Sequence, residues 1–301
     1  MSVVATVRGT GLATIQDGGR PGFTSVGVPT SGAFHRLRYL IATSLLSGEP
    51  DVHRPAIELL TGTLTLDLSM STVLAVVGPA ELAMDGQRQA SGTAVRVHAG
   101  AVIEVAHAGP GPAYVVVDGW EVPLTLGSAA TDTFSRIGAG ALRADDELLG
   151  APTRAGLARV GAFHRSIDPP TGPIRVADAG HRSLRPLASA TWTVTSVARS
   201  GARLVGGPIP ANDVVPSMPL VPGAIQVTPS GEAVILGPDG GLTGGYPVVG
   251  VLATVDLDRL SLLSPGDAVA FRTITIDEAA ATRRDQLAAV RRAVVHPDHL
   301  P

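Results

Sequence analysis

The segment TLTLDLSMSTVLAVV, residues 63–77, decides the predicted fold class. Its first six residues alternate leucine with polar residues, and its last six, TVLAVV, are rich in β-branched residues. Both patterns are typical of β-strands, and the short connection between them is typical of antiparallel neighbours. We therefore predict antiparallel sheet in this part of the chain.

Strand-like runs continue through both halves of the chain. They are TAVRV (93–97), AVIEVA (101–106), YVVV (114–117), IRV (174–176), TWTVTSVA (191–198), AIQVT (224–228), EAVIL (232–236), PVVGVLATV (247–255) and AVAFRTITI (268–276). The main predicted helix covers residues 33–47, where leucine and isoleucine recur at helical spacing before Gly48 and Pro50. Asp277 is the predicted cap of a last helix that reaches about residue 294.

Chain length and one weakly periodic segment together predict two domains. The chain has 301 residues, of which 45% are hydrophobic, and this is enough material for two cores. The segment 150–173 ends in Pro-Pro-Thr-Gly-Pro, which is typical of a linker. We place an N-terminal β-barrel-like domain at 1–165 and a C-terminal one at 166–301. The predicted fold class is mainly β, with a few short helices.

Composition argues against two classes of partner. The formal net charge is -3 and aromatic residues make up only 3%, so nucleic acid is not an expected partner. The sequence has no apolar run near the roughly 20 residues that a membrane span needs, and its start does not resemble a signal peptide. We expect a cytoplasmic protein without membrane contact.

Two residue types are absent from the sequence. The chain contains no cysteine, and all 23 of its Lys and Arg residues are arginine. Thiolate chemistry, disulfides, a Walker-type phosphate loop and a Schiff base are therefore excluded. Covalently attached biotin is excluded as well, because biotin is carried on lysine.

Two glycine-rich segments carry the candidate polar sites. In QDGGRPGFTSVGVPTSG, residues 16–32, Asp17 and Arg20 flank a Gly-Gly turn, where an arginine can clamp a carboxylate or a phosphate. The alternative is an Asp-Arg pair that only pins the loop. In GPDGGLTGGYP, residues 237–247, polar side chains on a glycine-rich turn can hold a small ligand, although a plain hairpin connection has the same composition.

Other polar residues give weaker signals. Glu58 and Glu104 are candidate acid or base groups, with exposure at a sheet edge as the alternative. Only His296 and His299 lie close together among eight histidines, and we do not expect a metal site there. A Ser-His-Asp triad stays possible because its members need not be neighbours in sequence, but there is no G-x-S-x-G motif.

Four motifs in the same order resemble one known family. They are GLATIQDGGRPGFTSVGVPTSGAF (11–34), GAIQVTPSGEAVIL (223–236), TGGYPVVGVLATVDLDRL (243–260) and LSPGDAVAF (263–271). They resemble the KipA-like family, also called allophanate hydrolase subunit 2 or the biotin-dependent carboxyltransferase family. The resemblance covers nearly the whole chain.

The resemblance implies a fold and a set of partners. It implies two cyclophilin-like β-barrel domains and a KipI-like partner, also called allophanate hydrolase subunit 1. It also implies similarity to the carboxyltransferase part of urea carboxylase. Members that act with that partner and a third subunit form an ATP-dependent 5-oxoprolinase, so ATP with Mg²⁺ is the expected cofactor. Other members antagonise a kinase inhibitor.

The chain departs from the family pattern at four polar positions. The family's Ser-Gly-Ala-Met-Asp is SGAFH at 31–35, and its Gly-Ser-Arg-Ser-Thr-Tyr is GSAATD at 127–132. Its Asp-Arg is AR at 198–199, and its Asp-Arg-Gln is DGG at 239–241. The resemblance therefore carries over only the residues that still match. These candidate site residues are Asp17, Arg20, Ser31, Glu58, Arg199, Gln226, Asp239, Thr243 and Tyr246.

The leading hypothesis is a subunit of an ATP-dependent amide or lactam hydrolase of the 5-oxoprolinase type. Arg20 and Arg199 are assigned to phosphate or to a substrate carboxylate, and Asp17 or Asp239 to water or Mg²⁺. Asp17, Arg20 and Asp239 form the catalytic set, and the other six candidates form the substrate and nucleotide set. The alternatives are carboxyl transfer from carboxybiotin on another protein, and a non-catalytic regulatory module.

Overall fold

The computed structural model describes residues 1–165, 170–178, 184–207, 209 and 215–296. Twelve strands precede residue 151. They are β1 (Ser2–Gly9), β2 (Leu12–Gln16), β3 (Ala56–Thr61), β4 (Thr63–Leu68), β5 (Thr72–Val77), β6 (Ala80–Met84), β7 (Gln87–Gln89), β8 (Ala94–Val97), β9 (Val102–His107), β10 (Ala113–Val117), β11 (Trp120–Glu121) and β12 (Glu147–Gly150).

These strands form two sheets around a shared core. One sheet has the order β11-β12-β1-β4-β9-β6-β7, and the other has the order β2-β3-β10-β5-β8. In β4 the leucines Leu64, Leu66 and Leu68 face the core, while the alternating polar residues do not. The alternation seen in the sequence is therefore the alternation of a half-buried strand.

Strand β5 is buried on both faces, which explains why TVLAVV does not alternate. Leu74 and Val76 join the core between the two sheets. Val73 and Ala75 face the opposite way, towards the helix α1 (Arg36–Ser47). This helix ends at Gly48, whose φ of 84° is the left-handed conformation typical of a helix C-terminus.

The second half of the chain is built around a closed barrel. The elements from residue 151 onwards are α2 (Arg154–Leu157), β13 (Phe163–His164), β14 (Ile174–Asp178), α3 (Arg185–Ala188), β15 (Thr191–Ala198), β16 (Gly201–Val205), β17 (Met218–Pro219), β18 (Ala224–Val227), β19 (Ala233–Leu236), β20 (Thr243–Gly244), β21 (Val248–Leu252), α4 (Leu257–Leu260), β22 (Ala268–Ile274), α5 (Ile276–Ala293) and β23 (Val294–Val295). Seven strands close in the order β14-β21-β18-β19-β16-β15-β22, and β22 returns parallel to β14.

The two halves exchange apolar side chains. Phe34 of the first half packs into the barrel core beside Trp192 and Ile225. In return, Val290 of α5 is fully buried in the cluster around α1 of the first half. The mainly-β prediction is confirmed, with a closed barrel in the second half and two sheets sharing one core in the first. The predicted domain boundary at 165 and 166 stays a prediction.

One predicted helix cap is wrong. The N-cap of α5 is Thr275 rather than Asp277, and its side chain and that of Glu278 form a reciprocal capping box. Asp277 lies inside the first turn, where its charge still suits the positive end of the helix dipole. None of the described helices combines the length and the apolar character that a membrane crossing needs.

Candidate functional site

The glycine-rich segment 16–32 folds into a loop whose two ends are held together. Arg20 N donates to Thr30 O at 2.8 Å, and Ala33 N donates to Asp17 O at 2.9 Å. A Cβ on Gly19 would lie 2.6 Å from Thr30 O, and Gly19 also has a φ of 87°. Only glycine fits there without strain, so the composition of this segment is a requirement of its close packing.

Asp17 holds a second loop, residues 124–137, against the first. Its Oδ1 accepts hydrogen bonds from Gly19 N and from Ser128 Oγ, each at 2.7 Å, and its Oδ2 accepts one from Ala129 N at 2.7 Å. The side chain is 3% exposed. Three bonds to one buried carboxylate make Asp17 an organiser of the two loops.

Arg20 also contacts the 124–137 loop. Its Nη2 donates to Ala130 O and its Nε donates to Thr125 O at 3.5 Å. The side chain is 1% exposed, burial lowers its pKa, and Nη1 has no hydrogen-bond partner among the described residues. Among the described residues, Asp17 and Arg20 do not form an ion pair with each other. Each side chain instead forms hydrogen bonds with the 124–137 loop.

The centre of the site is Arg199, which joins the two halves. It follows β15, and its guanidinium forms a two-bond pair with Asp239: Nε donates to Oδ2 at 2.8 Å and Nη2 to Oδ1 at 2.9 Å. Nη1 donates to Glu58 Oε1 at 2.6 Å. Nη2 also donates to Gly32 O at 2.8 Å. One arginine of the barrel half thus holds a carboxylate from each half.

Polar groups of the first half complete this arrangement. Ser31 Oγ donates to Asp239 Oδ1 at 2.6 Å, and Thr133 donates to Asp239 Oδ2 through N and Oγ1. Tyr114 OH donates to Glu58 Oε2 at 2.6 Å. We call this set the junction cluster; its members are Ser31, Glu58, Tyr114, Thr133, Arg199 and Asp239.

Burial shifts the pKa values of the ionisable groups in the junction cluster. Glu58 and Asp239 are both 0% exposed. Burial opposes the charge of Arg199, but attraction from Glu58 and Asp239 outweighs it and raises the Arg199 pKa. Burial also opposes the charge of Asp239, yet hydrogen bonds from Arg199 and Ser31 keep its pKa below the ordinary value. Burial and the nearby Glu58 raise the pKa of Tyr114 well above its usual range.

Backbone strain occurs at the same place. Ser31 has a φ of 52°, a left-handed conformation that non-glycine residues seldom adopt. The surrounding hydrogen bonds hold it, since its hydroxyl bonds Asp239 and its neighbour Gly32 bonds Arg199. Strained residues of this kind are concentrated at functional sites.

Three candidates lie away from the junction cluster. Gln226, on β18, is buried under the TGGYP turn, where its Nε2 donates to Tyr246 O at 3.3 Å. Thr243 and Tyr246 are exposed. Within the described part of the chain, none of the three side chains is hydrogen-bonded to the cluster. Of the remaining six candidates, Ser31, Glu58, Arg199 and Asp239 meet directly, and Asp17 and Arg20 hold the neighbouring loop.

Sequence reasoning missed several polar residues of the site. The sequence pattern shows Tyr114 only as part of a strand, and Ser128 and Thr133 lie in the segment where the family pattern is lost. The loop length between β11 and β12 was the one available signal, because long irregular loops in compact domains are frequently functional.

Glu104 is exposed, as the alternative expectation had it, but not at a sheet edge, because β9 is paired with β4 on one side and with β6 on the other. His299 lies outside the described residues, and the described part of the chain contains no group of three His, Asp or Glu side chains arranged as metal ligands.

A further buried carboxylate, that of Asp258, caps α1 across the junction. Asp258, on α4, accepts from Arg36 N at 2.5 Å and from Leu37 N at 3.1 Å. Burial raises its pKa to about 6, although these two bonds oppose the rise. Next to it, burial and the Arg38 charge lower the pKa of His35 to about 3, so this imidazole is neutral.

Two cavities differ in their suitability for ligands. A cavity of about 440 Å³ lies in the first half, and its lining includes Glu121, Asp146 and Glu147 but no described arginine. A cavity of about 140 Å³ lies between the halves. The first has no cation for phosphates, and the second is too small for a nucleotide. Neither of these two cavities fits ATP.

The comparisons with known proteins agree with this architecture. The family model "Carboxyltransferase domain, subdomain A and B" matches residues 26–273. A protein of Haemophilus influenzae named as a subunit of 5-oxoprolinase is 29% identical, over 94% of this chain and 96% of that protein. The protein of the same name from Escherichia coli is 28% identical, over 91% of this chain and 92% of its own length.

A solved structure shows the same fold within a longer chain. The Kluyveromyces lactis urea amidolyase is 23% identical and superposes with a TM-score of 0.83 over 95% of this chain, which spans 20% of that chain. Other matching solved chains superpose with TM-scores of 0.77 to 0.79, and this chain spans 55% to 56% of their length. The fold and the junction between its halves define a carboxyltransferase-type domain. The chain belongs to the family of carboxyltransferase domains with subdomains A and B.

Proposed function

We propose that this chain is a subunit of an ATP-dependent amide or lactam hydrolase of the 5-oxoprolinase type. The observation that carries the proposal is the convergence of Ser31, Glu58, Arg199 and Asp239 at the junction of the halves. Their motifs lie as far as 208 residues apart in sequence. The likeness to two proteins named as 5-oxoprolinase subunits, along nearly their whole length, supports it.

In this proposal the junction cluster orients groups rather than transferring phosphate itself. Arg199 already donates to two carboxylates, one hydroxyl and one carbonyl, so it has little capacity left for a phosphate. Its role is to fix Asp239 and Glu58 in a water-poor place, where a preorganised charge acts strongly. Arg20 keeps one unbonded nitrogen and is therefore one of the cations that can meet a ligand oxygen.

We assign the nucleotide site to the assembled complex with a KipI-like partner and a third subunit, because the cavity beside the junction cluster, about 140 Å³, is too small for a nucleotide. ATP with Mg²⁺ would supply the activation of the amide oxygen. The residues of this chain would bind and orient the amide. The cytoplasmic location stays a prediction.

Reconstitution tests this function. The chain, its KipI-like partner and the third subunit are mixed with 5-oxoproline and ATP, and glutamate release is measured. We expect release only when all components are present. We expect Arg20→Met and Asp239→Asn to lower kcat by at least about 100-fold, while Arg203→Met, at an exposed ion pair, leaves it unchanged. A complete, correctly assembled complex that releases no glutamate would contradict the proposal.

A second candidate function is carboxyl transfer from carboxybiotin on another protein. The description of the matching family model favours it, as does the 27% identity to the Saccharomyces cerevisiae urea amidolyase, of which this chain spans 17%. This chain has no lysine to carry biotin. Radiolabelled bicarbonate, offered with ATP, a biotin carboxylase, a biotinylated carrier and an amide acceptor, distinguishes the two functions. Transfer of label to the acceptor that avidin blocks supports carboxyl transfer, and glutamate release that avidin does not block supports hydrolysis.

A further inference from the structure

The cavity between the halves, about 140 Å³, adjoins the junction cluster and was not assigned by sequence reasoning. Ser31, Phe34 and Arg36 line it from the first half, and Pro238, Leu257 and Asp258 line it from the second. Ser31 belongs to both the cavity and the cluster, and Pro238 precedes Asp239. A molecule in this cavity would therefore lie beside the Ser31 hydroxyl.

The size of the cavity restricts what it can hold. A cavity of about 150 Å³ accommodates a molecule the size of benzene. The occupant is therefore a compact ring of roughly six to nine non-hydrogen atoms, and biotin and nucleotides are too large for it.

Arg36 supplies a cation that lies near Asp258 and keeps an unbonded nitrogen. Its Nε is buried and has no hydrogen-bond partner among the described residues. A second arginine is near, because burial and the Arg36 charge together lower the pKa of Arg283. Asp258 interacts with both arginines, so it offsets one of the two positive charges. The remaining charge and the buried unbonded nitrogen favour one further anionic group in the cavity.

Asp258 supplies acceptor capacity. It is 2% exposed, and the two backbone N–H groups of α1 occupy about half of the lone-pair positions of its carboxylate. A ligand N–H can use one of the others. Phe34 and Leu257 provide apolar walls that suit a flat or puckered ring.

We propose that this cavity binds a small ring that carries a carboxylate, held by Arg36, and an amide N–H, directed to Asp258. A lactam acid has both groups and the right size. The choice of a lactam rests on the proposed function, whereas the requirement for a carboxylate rests on Arg36 and the neighbouring Arg283. Arg36 and Asp258 thereby become specificity-determining residues.

Direct binding without ATP tests the proposal, because binding can be measured whether or not turnover occurs. Titration calorimetry uses 5-oxoproline and 2-pyrrolidinone, which lacks the carboxylate, on the full chain and on its complex. We expect 5-oxoproline to bind and 2-pyrrolidinone to bind at least about tenfold more weakly. Arg36→Gln should weaken 5-oxoproline binding by at least about tenfold, and Leu257→Trp, which fills the cavity, should abolish it.

Arg38→Gln is the matched control. Arg38 lies two positions further along α1 and donates to Pro110 O and Pro112 O, outside the cavity, so this variant should bind like the unaltered chain. If Arg36→Gln does not fold, Leu257→Trp, from the other half, gives the same test. Binding that both variants leave within about twofold overturns the cavity assignment even if the complex hydrolyses 5-oxoproline. Absence of binding to both chain and complex overturns it as well. Arg36-dependent binding in a complex that releases no glutamate would uphold the cavity and reject only the hydrolase.

Discussion

Replacing Arg199 by methionine should destabilise the protein severely. The variant keeps the length of the side chain but leaves Glu58 and Asp239, both 0% exposed, without their cation. Removing one partner of a buried ion pair costs about 3–5 kcal/mol. Because a domain is stable by only about 5–15 kcal/mol, this loss is a large fraction of the total. We expect the melting temperature to fall by about 6–10 °C.

Urea unfolding followed by tryptophan fluorescence measures this loss. The two tryptophans report on separate cores, because Trp120 is buried in the first half and Trp192 in the barrel. The control is Arg203→Met, which breaks an exposed 2.7 Å pair with Glu232 and should cost less than about 1 kcal/mol. Neutralising both carboxylates in the Arg199→Met background, with Glu58→Gln and Asp239→Asn, should recover most of the stability.

The pH dependence gives an independent check. In the native protein the pKa of Asp239 is lowered, so its contribution to stability is present above the unfolded pKa and is lost as pH falls through the folded pKa. Without Arg199 that pKa rises, and the variant gains stability on protonation. The difference in unfolding free energy between the wild type and Arg199→Met should therefore widen as pH rises from 5 to 8. A loss below about 1 kcal/mol, independent of pH, would refute the view that Arg199 neutralises the cluster.

Two further predictions concern Asp258 and the start of α5. Burial raises the pKa of Asp258 from 3.8 to about 6, so its contribution to stability is complete below about pH 4 and is lost as pH rises through 6. The unfolding free energy of the wild type, minus that of Asp258→Asn, should therefore fall by about 3 kcal/mol between pH 4 and pH 7 in urea titrations, and a constant difference would contradict the shift. Thr275→Ala removes the capping-box hydroxyl and should cost about 1 kcal/mol, whereas Asp277→Ala should cost less than about half of that; equal losses in thermal unfolding would show that Thr275 is not the dominant cap.

Much of the fold could be predicted from local pattern alone. The alternation in residues 63–68 and the apolar run in 72–77 gave β4 and β5 with their observed bounds. Several strands of the first half were missed, among them β1, β2 and β3, although these three contribute buried residues such as Val4, Ile15 and Ile57. Small residues such as Ala5 and Ala13 weaken the hydrophobic signal in β1 and β2.

Only part of the site could be predicted, because residues that meet across the junction of the halves are not marked by any local sequence pattern. Glu58 lies in β3, which the sequence pattern did not predict, and its partner Arg199 is 141 residues away in sequence. Only the resemblance of separate motifs brought these two residues together with Asp239. The same resemblance included Thr243 and Tyr246, which the structure leaves exposed outside the junction cluster.

The return of α5 to the first half affects how the chain acquires its structure during synthesis. Leu40 and Val290 belong to one apolar cluster, yet the second leaves the ribosome 250 residues after the first. At about 5–20 residues per second, the surface around α1 stays uncovered for roughly 10–50 s. During that interval the nascent first half exposes an apolar surface of the kind that chaperones bind. The first half therefore completes its core only after the last helix, α5, has been synthesised.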